Sequence, residues 1–340
     1  MQRRKLPEEM GIIVIWVIVL LILSLLAPRF RTYSNFRVLM LNGSVIAFLA
    51  LGQAFVLLTG GIDLSTGSVI AMTVVFTSLF MSWGISWPIA TLLSLLCGVA
   101  LGTINGLIIQ YVKVPPFIVT FSTSGVAVSI PQILTGAESI TVADPRFAVI
   151  GAGRILSVPI PVLMFIFAAI IAHLVLRRTK FGVHVYAVGG NMESARLAGV
   201  NVAITQVSVY AISGLCAAFG GIITVSRLMV GYPSAGTGNE LFYSIASAVV
   251  GGVSLFGGKG SIIGAMSGAM MIATVTNGMT LLRVPSFWQP LVIGVIILFG
   301  VSLDTYRRSL SISLLFRGML MKLKGGKKES LSASANDQSE

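Results

Sequence analysis

The sequence predicts an all-α, polytopic membrane protein of about ten transmembrane helices, with broken or half helices among them and an internal repeat. Three observations carry that expectation. Apolar residues make up 55% of the 340 and charged residues only 10%, with a mean hydropathy of +0.95. A soluble domain carries about 25% charged residues, so this chain cannot cover its own surface in water. The apolar residues gather into ten runs free of Asp, Glu, Lys and Arg, and a set of glycine and proline motifs occurs twice in the same order. This composition excludes a cytosolic enzyme, a disulfide-rich secreted module and a disordered chain. The two cysteines, Cys97 and Cys216, lie inside apolar runs with no partner spacing and read as small hydrophobes.

A helix needs about 20 apolar residues to cross the hydrocarbon layer. The runs are 10–27, 38–59, 67–83, 88–112, 116–134, 158–176, 204–226, 241–256, 260–282 and 286–303. The 241–256 run is short and ends in glycines, which suits a half-helix. The first run follows Arg3, Arg4 and Lys5 like a secretory signal, but it ends Leu25-Leu26-Ala27-Pro28 without a small-x-small cleavage site and reads as a retained helix. The chain therefore divides into an N-terminus, 1–9, a membrane domain, 10–304, and a basic tail, 305–340, polar and disordered from Gly325.

The net charge of +12 is one of membrane orientation rather than of a nucleic-acid groove. With ten crossings and both termini inside, 16 Lys and Arg fall on the cytoplasmic side and seven outside (Arg29, Arg31, Arg37, Arg146, Arg154, Arg227 and Arg283). Arg29, Arg31 and Arg37 run against the bias and mark an interfacial stretch.

Gly60-Gly61-Ile62-Asp63-Leu64-Ser65 is answered by Gly251-Gly252-Val253-Ser254-Leu255, and Asn105-Gly106 with Lys113-Val114-Pro115-Pro116-Phe117 by Asn277-Gly278 with Arg283-Val284-Pro285-Ser286-Phe287. Gly98, Gly102 and Gly106 form a small-residue stripe matched by Gly260, Gly264 and Gly268. Such a stripe lets a neighbouring backbone approach closely, and repeated halves are a common plan of transporters.

GGIDLSTGS, Gly60 to Ser68, sits where one run ends and the next begins. Its glycines interrupt a helix, and Asp63 and Ser65 can cap the one that restarts. Irregular backbone at membrane depth survives only where protein or a wet cavity covers it. Two roles stay open for Asp63, a cap in a tight turn and an acceptor on a solute path.

The stretch 177–201 is the longest polar interruption on the cytoplasmic side. Asn191 can cap a short helix in it, Glu193 and Arg196 share one face, and Gly199 can end it. An exposed helix between two spans suits a docking element, to which we assign Gly189, Gly190, Asn191, Glu193, Ala195, Arg196, Ala198 and Gly199; an ordinary surface helix held by its ion pair is the alternative. The external loop 135–158 is long enough to cover a pathway mouth or receive a partner.

The spans hold neutral amides and hydroxyls, which exchange hydrogen bonds with a neutral, hydroxyl-rich solute without stranding a charge. Asn42, Gln53, Asp63, Ser65, Asn105 and Asn277 are the pathway candidates, with Phe121 as an apolar face for a sugar ring. Nucleophilic triads, paired carboxylates and metal-ligand clusters are absent from the sequence. GGVSLFGGKGS misses a phosphate-binding loop at Val253 and Gly260, so the chain is not expected to hydrolyse ATP.

Together GGIDLSTGS, the Asn-Gly…Lys-Val-Pro-Pro-Phe segment, AVGGNMESARLAGVNV and GGVSLFGGKGS resemble the ribose/xylose/galactose class of bacterial ABC sugar permeases, over roughly residues 10–304. The resemblance implies an inner-membrane subunit of a binding-protein-dependent importer, not itself an enzyme. It further implies a monosaccharide or small polyol as cargo, a cytoplasmic ATPase partner that binds ATP and Mg, a second permease copy or paralogue and a periplasmic sugar-binding protein. In that class the loop matching Val188 to Val202 docks the ATPase. A secondary transporter driven by an ion gradient is the alternative, though it needs ionisable groups in the membrane, and here only Asp63, Lys259 and His173 come near.

Overall fold

The computed structural model describes residues 8–302 and 304–306. Residues through Ile297 form one compact unit, and the packing below is that of this unit; in the second, which starts at Leu298, the described residues are helical. The helices are α1 (Glu8–Leu26), α2 (Tyr33–Leu58), α3 (Thr66–Ser82), α4 (Trp87–Leu107), α5 (Pro116–Thr135), α6 (Ala148–Ala152), α7 (Ile160–Arg178), α8 (Lys180–Gly190), α9 (Met192–Leu197), α10 (Val202–Leu228), α11 (Glu240–Val250), α12 (Ile262–Leu281) and α13 (Trp288–Tyr306).

Each of the ten apolar runs holds a helix. Among the described residues seven helices are long and apolar enough to cross a membrane, and three, at Met10–Leu26, Thr66–Ser82 and Glu240–Val250, are shorter. The half-helix expected at 241–256 is α11, which stops at Gly251, with Gly252 at φ +85° turning the chain. Helix starts follow local chemistry. Thr32, Asn201 and Ser261 cap α2, α10 and α12 by accepting from the third residue on. Prolines, whose φ suits a first turn, open α4, α5 and α7. The basic residues expected at 3–5 and from Arg307 to Lys328 lie outside the described residues.

At the centre of the bundle lies α2, buried almost throughout from Ile46 to Leu58. One core cluster joins it to α1, α7 and α12 through Leu23, Phe48, Phe165 and Ile272; a second joins it to α3 and α10 through Leu49, Ile70 and Ile222. Phe48 stacks on Phe219 of α10 with ring centroids 5.2 Å apart. By contrast, α1, α5 and α7 expose Leu25, Ile133 and Phe167 on their outer faces, an arrangement stable in hydrocarbon and not in water.

Lipid gives helices no hydrophobic reason to associate, so close packing must hold them. The glycine stripe of α4 does this against α10: a Cβ on Gly102 would meet the Tyr210 carbonyl, one on Gly106 would lie 2.6 Å from Val207 Cα, and Gly214 faces the Gly98 carbonyl. Gly264 and Gly268 of α12 press in the same way on Gly251, which caps α11, and on Ser247 within it. The second stripe is shorter than expected. Ser261 starts α12 at Ile262, so Gly260 lies outside it, at φ +137° in the preceding loop.

Other parts of the internal echo reach the backbone. Gly60 and Gly252 both have φ near +80°, and Lys113 and Arg283 both enter the left-handed region before their Val-Pro. The first copy is longer because a π-helical turn, Ile108–Val112, intervenes. Loops assigned to one membrane face also meet: Ile140–Thr141 pairs with Val230–Gly231, and Gly258 N donates to the Leu58 carbonyl.

G102A is expected to destabilise the lipid-embedded chain by about 1–3 kcal/mol through overpacking. A methyl added at Gly125 meets open space, so G125A should shift stability by less than about 1 kcal/mol. Thermal melts of the two variants in nanodiscs check the difference; equal melting would contradict the seam.

Candidate functional site

The segment between α2 and α3 runs back into the bundle. Gly60 turns the chain at φ +80°, and residues 61–65 follow without helix. Asp63, buried to 1% exposure, accepts from Ser65 N at 2.9 Å, Ser65 Oγ at 2.6 Å and Ser213 Oγ at 2.7 Å. Asn105 Nδ2 donates to Ser65 Oγ at 3.1 Å, and the Tyr210 hydroxyl to the Ile62 carbonyl at 3.4 Å. Ser213 lies eleven residues into α10, about 16 Å along its axis, so the irregular backbone sits well inside the bundle, covered by α4 and α10. Glycine is required at 61 because a Cβ there would strike the Tyr210 hydroxyl. Asp63 thus binds the turn ahead of α3 to α10, with both carboxylate oxygens engaged.

The stretch 177–201 folds as α8, α9 and a glycine stop. Asn191 Oδ1 accepts from Ser194 N at 2.8 Å, and Glu193 pairs with Arg196 at 3.1 Å on the exposed face. Gly199, at φ +81°, ends the helix, with its N–H on the Arg196 carbonyl and that of Val200 on Ala195. Ala195 is buried against Val188 and Val202, so this six-residue helix has one anchored side. Leu197, two residues on, is 89% exposed. The sequence reading missed it, although a leucine next to the Glu193–Arg196 pair in a polar stretch was the signal to follow.

Three backbones meet beneath this helix. A Cβ on Gly189 would strike the Leu58 carbonyl, the same oxygen that accepts from Gly258 N at 2.9 Å. A Cβ on Gly257 would lie 2.8 Å from Gly60 N and 2.9 Å from Gly189 Cα, and one on Gly258 would lie 2.9 Å from Gly190 Cα. The Tyr186 hydroxyl donates to the Gly260 carbonyl at 2.9 Å. The end of α8 therefore rests directly on the end of α2 and on the loop between α11 and α12. Gly257, Gly258 and Tyr186 also escaped the sequence reading, because their roles exist only where three distant segments converge.

The pathway candidates fall in separate places. Asp63, Ser65 and Asn105 share the cluster above. Asn42 and Asn277 line a cavity of about 440 Å³ between α2, α10, α11, α12 and α13, together with Arg227, Glu240, Tyr243 and Gln289. There Arg227 donates to Asn42 Oδ1 at 2.7 Å, and Asn277 exchanges two 3.0 Å bonds with Asn35. Gln53 is buried on α2, with neither amide atom bonded among the described residues. Phe121 is exposed on α5, stacked on Phe117 at 6.1 Å and outside both groups. Arg227 and Glu240 went unremarked as site residues in the sequence, though both flank apolar runs.

Among the described residues no three His, Cys, Asp or Glu side chains converge as metal ligands. In the 135–158 loop, the Arg146 guanidinium hydrogen-bonded to Asp144 holds that carboxyl below its ordinary range.

A family model described as the permease component of branched-chain amino acid transport systems matches residues 35–301. A ribose import permease protein of Haemophilus influenzae is 37% identical over 308 residues, 89% of this chain and 94% of that one. The D-allose transport system permease protein of Escherichia coli K12 is 34% identical over 299 residues, 87% and 91% of the two chains. An L-arabinose ABC transporter permease protein of Azospirillum brasilense is 34% identical over 305 residues, 90% of each. No solved structure matches the chain.

D63A leaves the Ser65 and Ser213 groups without their acceptor inside the bundle. Each buried polar group left unpaired costs about 1–3 kcal/mol, so D63A should sharply reduce the folded fraction, while S213A should cost about 1 kcal/mol. Melting in nanodiscs and gel-filtration yield check this, and a D63A chain as stable as wild type would contradict the anchoring role.

Proposed function

We propose a function from one premise: this chain belongs to the family of transport-system permease components whose model it matches over residues 35–301. It is the membrane-spanning subunit of an ATP-binding cassette importer. It moves a monosaccharide or similar small polyol across the bacterial inner membrane by alternating access, driven by a separate ATPase subunit. The relatives aligned over about nine-tenths of the chain carry the names of ribose, allose and arabinose permeases, which supports a sugar as cargo over the amino acids in the family description.

The observation that carries the mechanism is the seat of α9. A short exposed helix with an ion pair and an uncovered leucine is clamped, through α8, onto the backbone at the end of α2. An ATPase gripping Glu193, Arg196 and Leu197 would push on the Leu58–Gly258 junction. The displacement would pass along α2 and, through the α11–α12 loop, into α11 and α12. Asp63 and Ser213 tie α3 to α10, so these helices would move together.

The excess of basic residues on the face that holds α9 supports a cytoplasmic position for it, with both termini on that side. ATP and Mg would be held by the ATPase, and a second permease copy or paralogue and a periplasmic sugar-binding protein would complete the assembly. Asp63 does not supply the titratable group facing the route that an ion-gradient carrier would need, because both its oxygens are taken up by serine hydroxyls and a backbone amide.

The double substitution E193A/R196A tests the handle. Sugar uptake by the reconstituted complex should fall by more than about tenfold, equivalent to about 1.4 kcal/mol of coupling, and sugar-stimulated ATPase activity should vanish while membrane insertion stays normal. Wild-type uptake would overturn the docking assignment. G189V should leave α9 intact yet lose transport, because its side chain cannot fit against the Leu58 carbonyl; transport unaffected by G189V would remove the junction from the mechanism.

A further inference from the structure

The 440 Å³ cavity lies toward the end of the bundle remote from α9, between the stretch of α2 from Val38 to Ile46, the first turns of α11 and α13 and the last turns of α10 and α12. Its volume lies within the ordinary range of small-ligand sites, about 300–1,000 Å³. Two of its polar groups carry charge without an ionic partner. The salt bridges among the described residues are Arg146–Asp144 and Arg196–Glu193, so neither Arg227 nor Glu240 is paired. The Arg227 guanidinium donates to a neutral acceptor, Asn42 Oδ1, at 2.7 Å. Glu240 has a carboxylate oxygen that is buried and without a hydrogen bond. Tyr243, one turn further along α11, is held by a 3.0 Å bond from its hydroxyl to Gln289 Oε1. Arg37 of α2 lies within electrostatic range of Arg227.

A buried carboxylate oxygen with no donor is costly, and an arginine on the same lining that bonds only an amide leaves donors to spare. Both deficits are met by one kind of ligand, an uncharged molecule whose neighbouring hydroxyls donate to the carboxylate and accept from the guanidinium. The tyrosine ring adds a flat apolar wall of the kind a sugar's C–H face can cover. The lining carries both a cation, Arg227, and an anion, Glu240, so it offers contacts of both signs rather than a seat for one charge.

We infer that this cavity is a binding site for a neutral polyhydroxy solute, with Asn42, Arg227 and Glu240 as its polar contacts and Tyr243 as its wall. The inference rests on the importer reading, and on the proposed orientation the site faces the periplasm, where it would receive cargo before the helices tilt.

Thr280 lines the cavity without serving as one of these contacts, so a cysteine there can report on occupancy. T280C in a C97A/C216A background, as the full chain in nanodiscs without any ATPase, is labelled with a charged methanethiosulfonate in the presence of D-ribose, D-allose, L-arabinose or sorbitol. At about 0.1 M, a sugar bound with millimolar affinity should slow labelling by about tenfold or more, while betaine at equal osmolarity should not. E240Q should remove the protection. Labelling that no polyol slows, protection equal to that by betaine, or protection that survives both E240Q and N42A would overturn the site. T276C on the same wall serves in the same way if T280C fails to fold. ATP-driven uptake by the reconstituted wild-type complex is scored separately. Uptake without protection discards this site and keeps the importer, and protection without uptake does the reverse.

Discussion

One carbonyl oxygen organises this molecule. At the end of α2, Leu58 O accepts from Gly258 N and leaves no room for a side chain at Gly189. Three segments, about 70 to 200 positions apart in sequence, meet there through backbone alone. A backbone junction is stiff, because it has no rotamers in which to absorb a displacement. Whatever moves α8 and α9 therefore moves the end of the most buried helix in the bundle.

The rest of the architecture gives that displacement a direction. From the junction, α2 runs to Asn42, sixteen residues or about 24 Å away along the helix, where it lines the polar cavity. Its partner α10 makes the same journey in reverse, starting beside α9, binding Asp63 at Ser213 and ending near Arg227. The glycine seams of α4 on α10 and of α12 on α11 hold the remaining helices close enough to follow. The exposed α9 and the cavity thus lie toward opposite ends of α10, an arrangement suited to a gate worked from one side of a membrane.

Much of this was legible in the sequence, where the governing physics is local. Charge-free runs of span length gave the helices, and Asn191, Glu193, Arg196 and Gly199 gave α9 with its cap, ion pair and stop. Asp63 was open between a cap and a path contact; its hydrogen bonds place it as an anchor of the turn before α3. The second glycine stripe was overextended at Gly260, because a cap one residue later decides where α12 begins. What stayed hidden depends on distant segments meeting. Gly257 looks like any loop glycine until Gly189 lies against it, and Arg227 and Glu240 look like span-flanking charges until α10 and α11 bring them to one cavity.

The central claim is that an external motor grips the exposed tip of α9 from the cell interior. Cross-linking a cysteine at Leu197 in the intact complex tests it most directly. The account predicts that L197C forms a cross-link to the ATPase subunit and reacts with impermeant thiol reagents only in inside-out vesicles. A cysteine there that is labelled from the outer face, or that never joins the ATPase while transport continues, would contradict it.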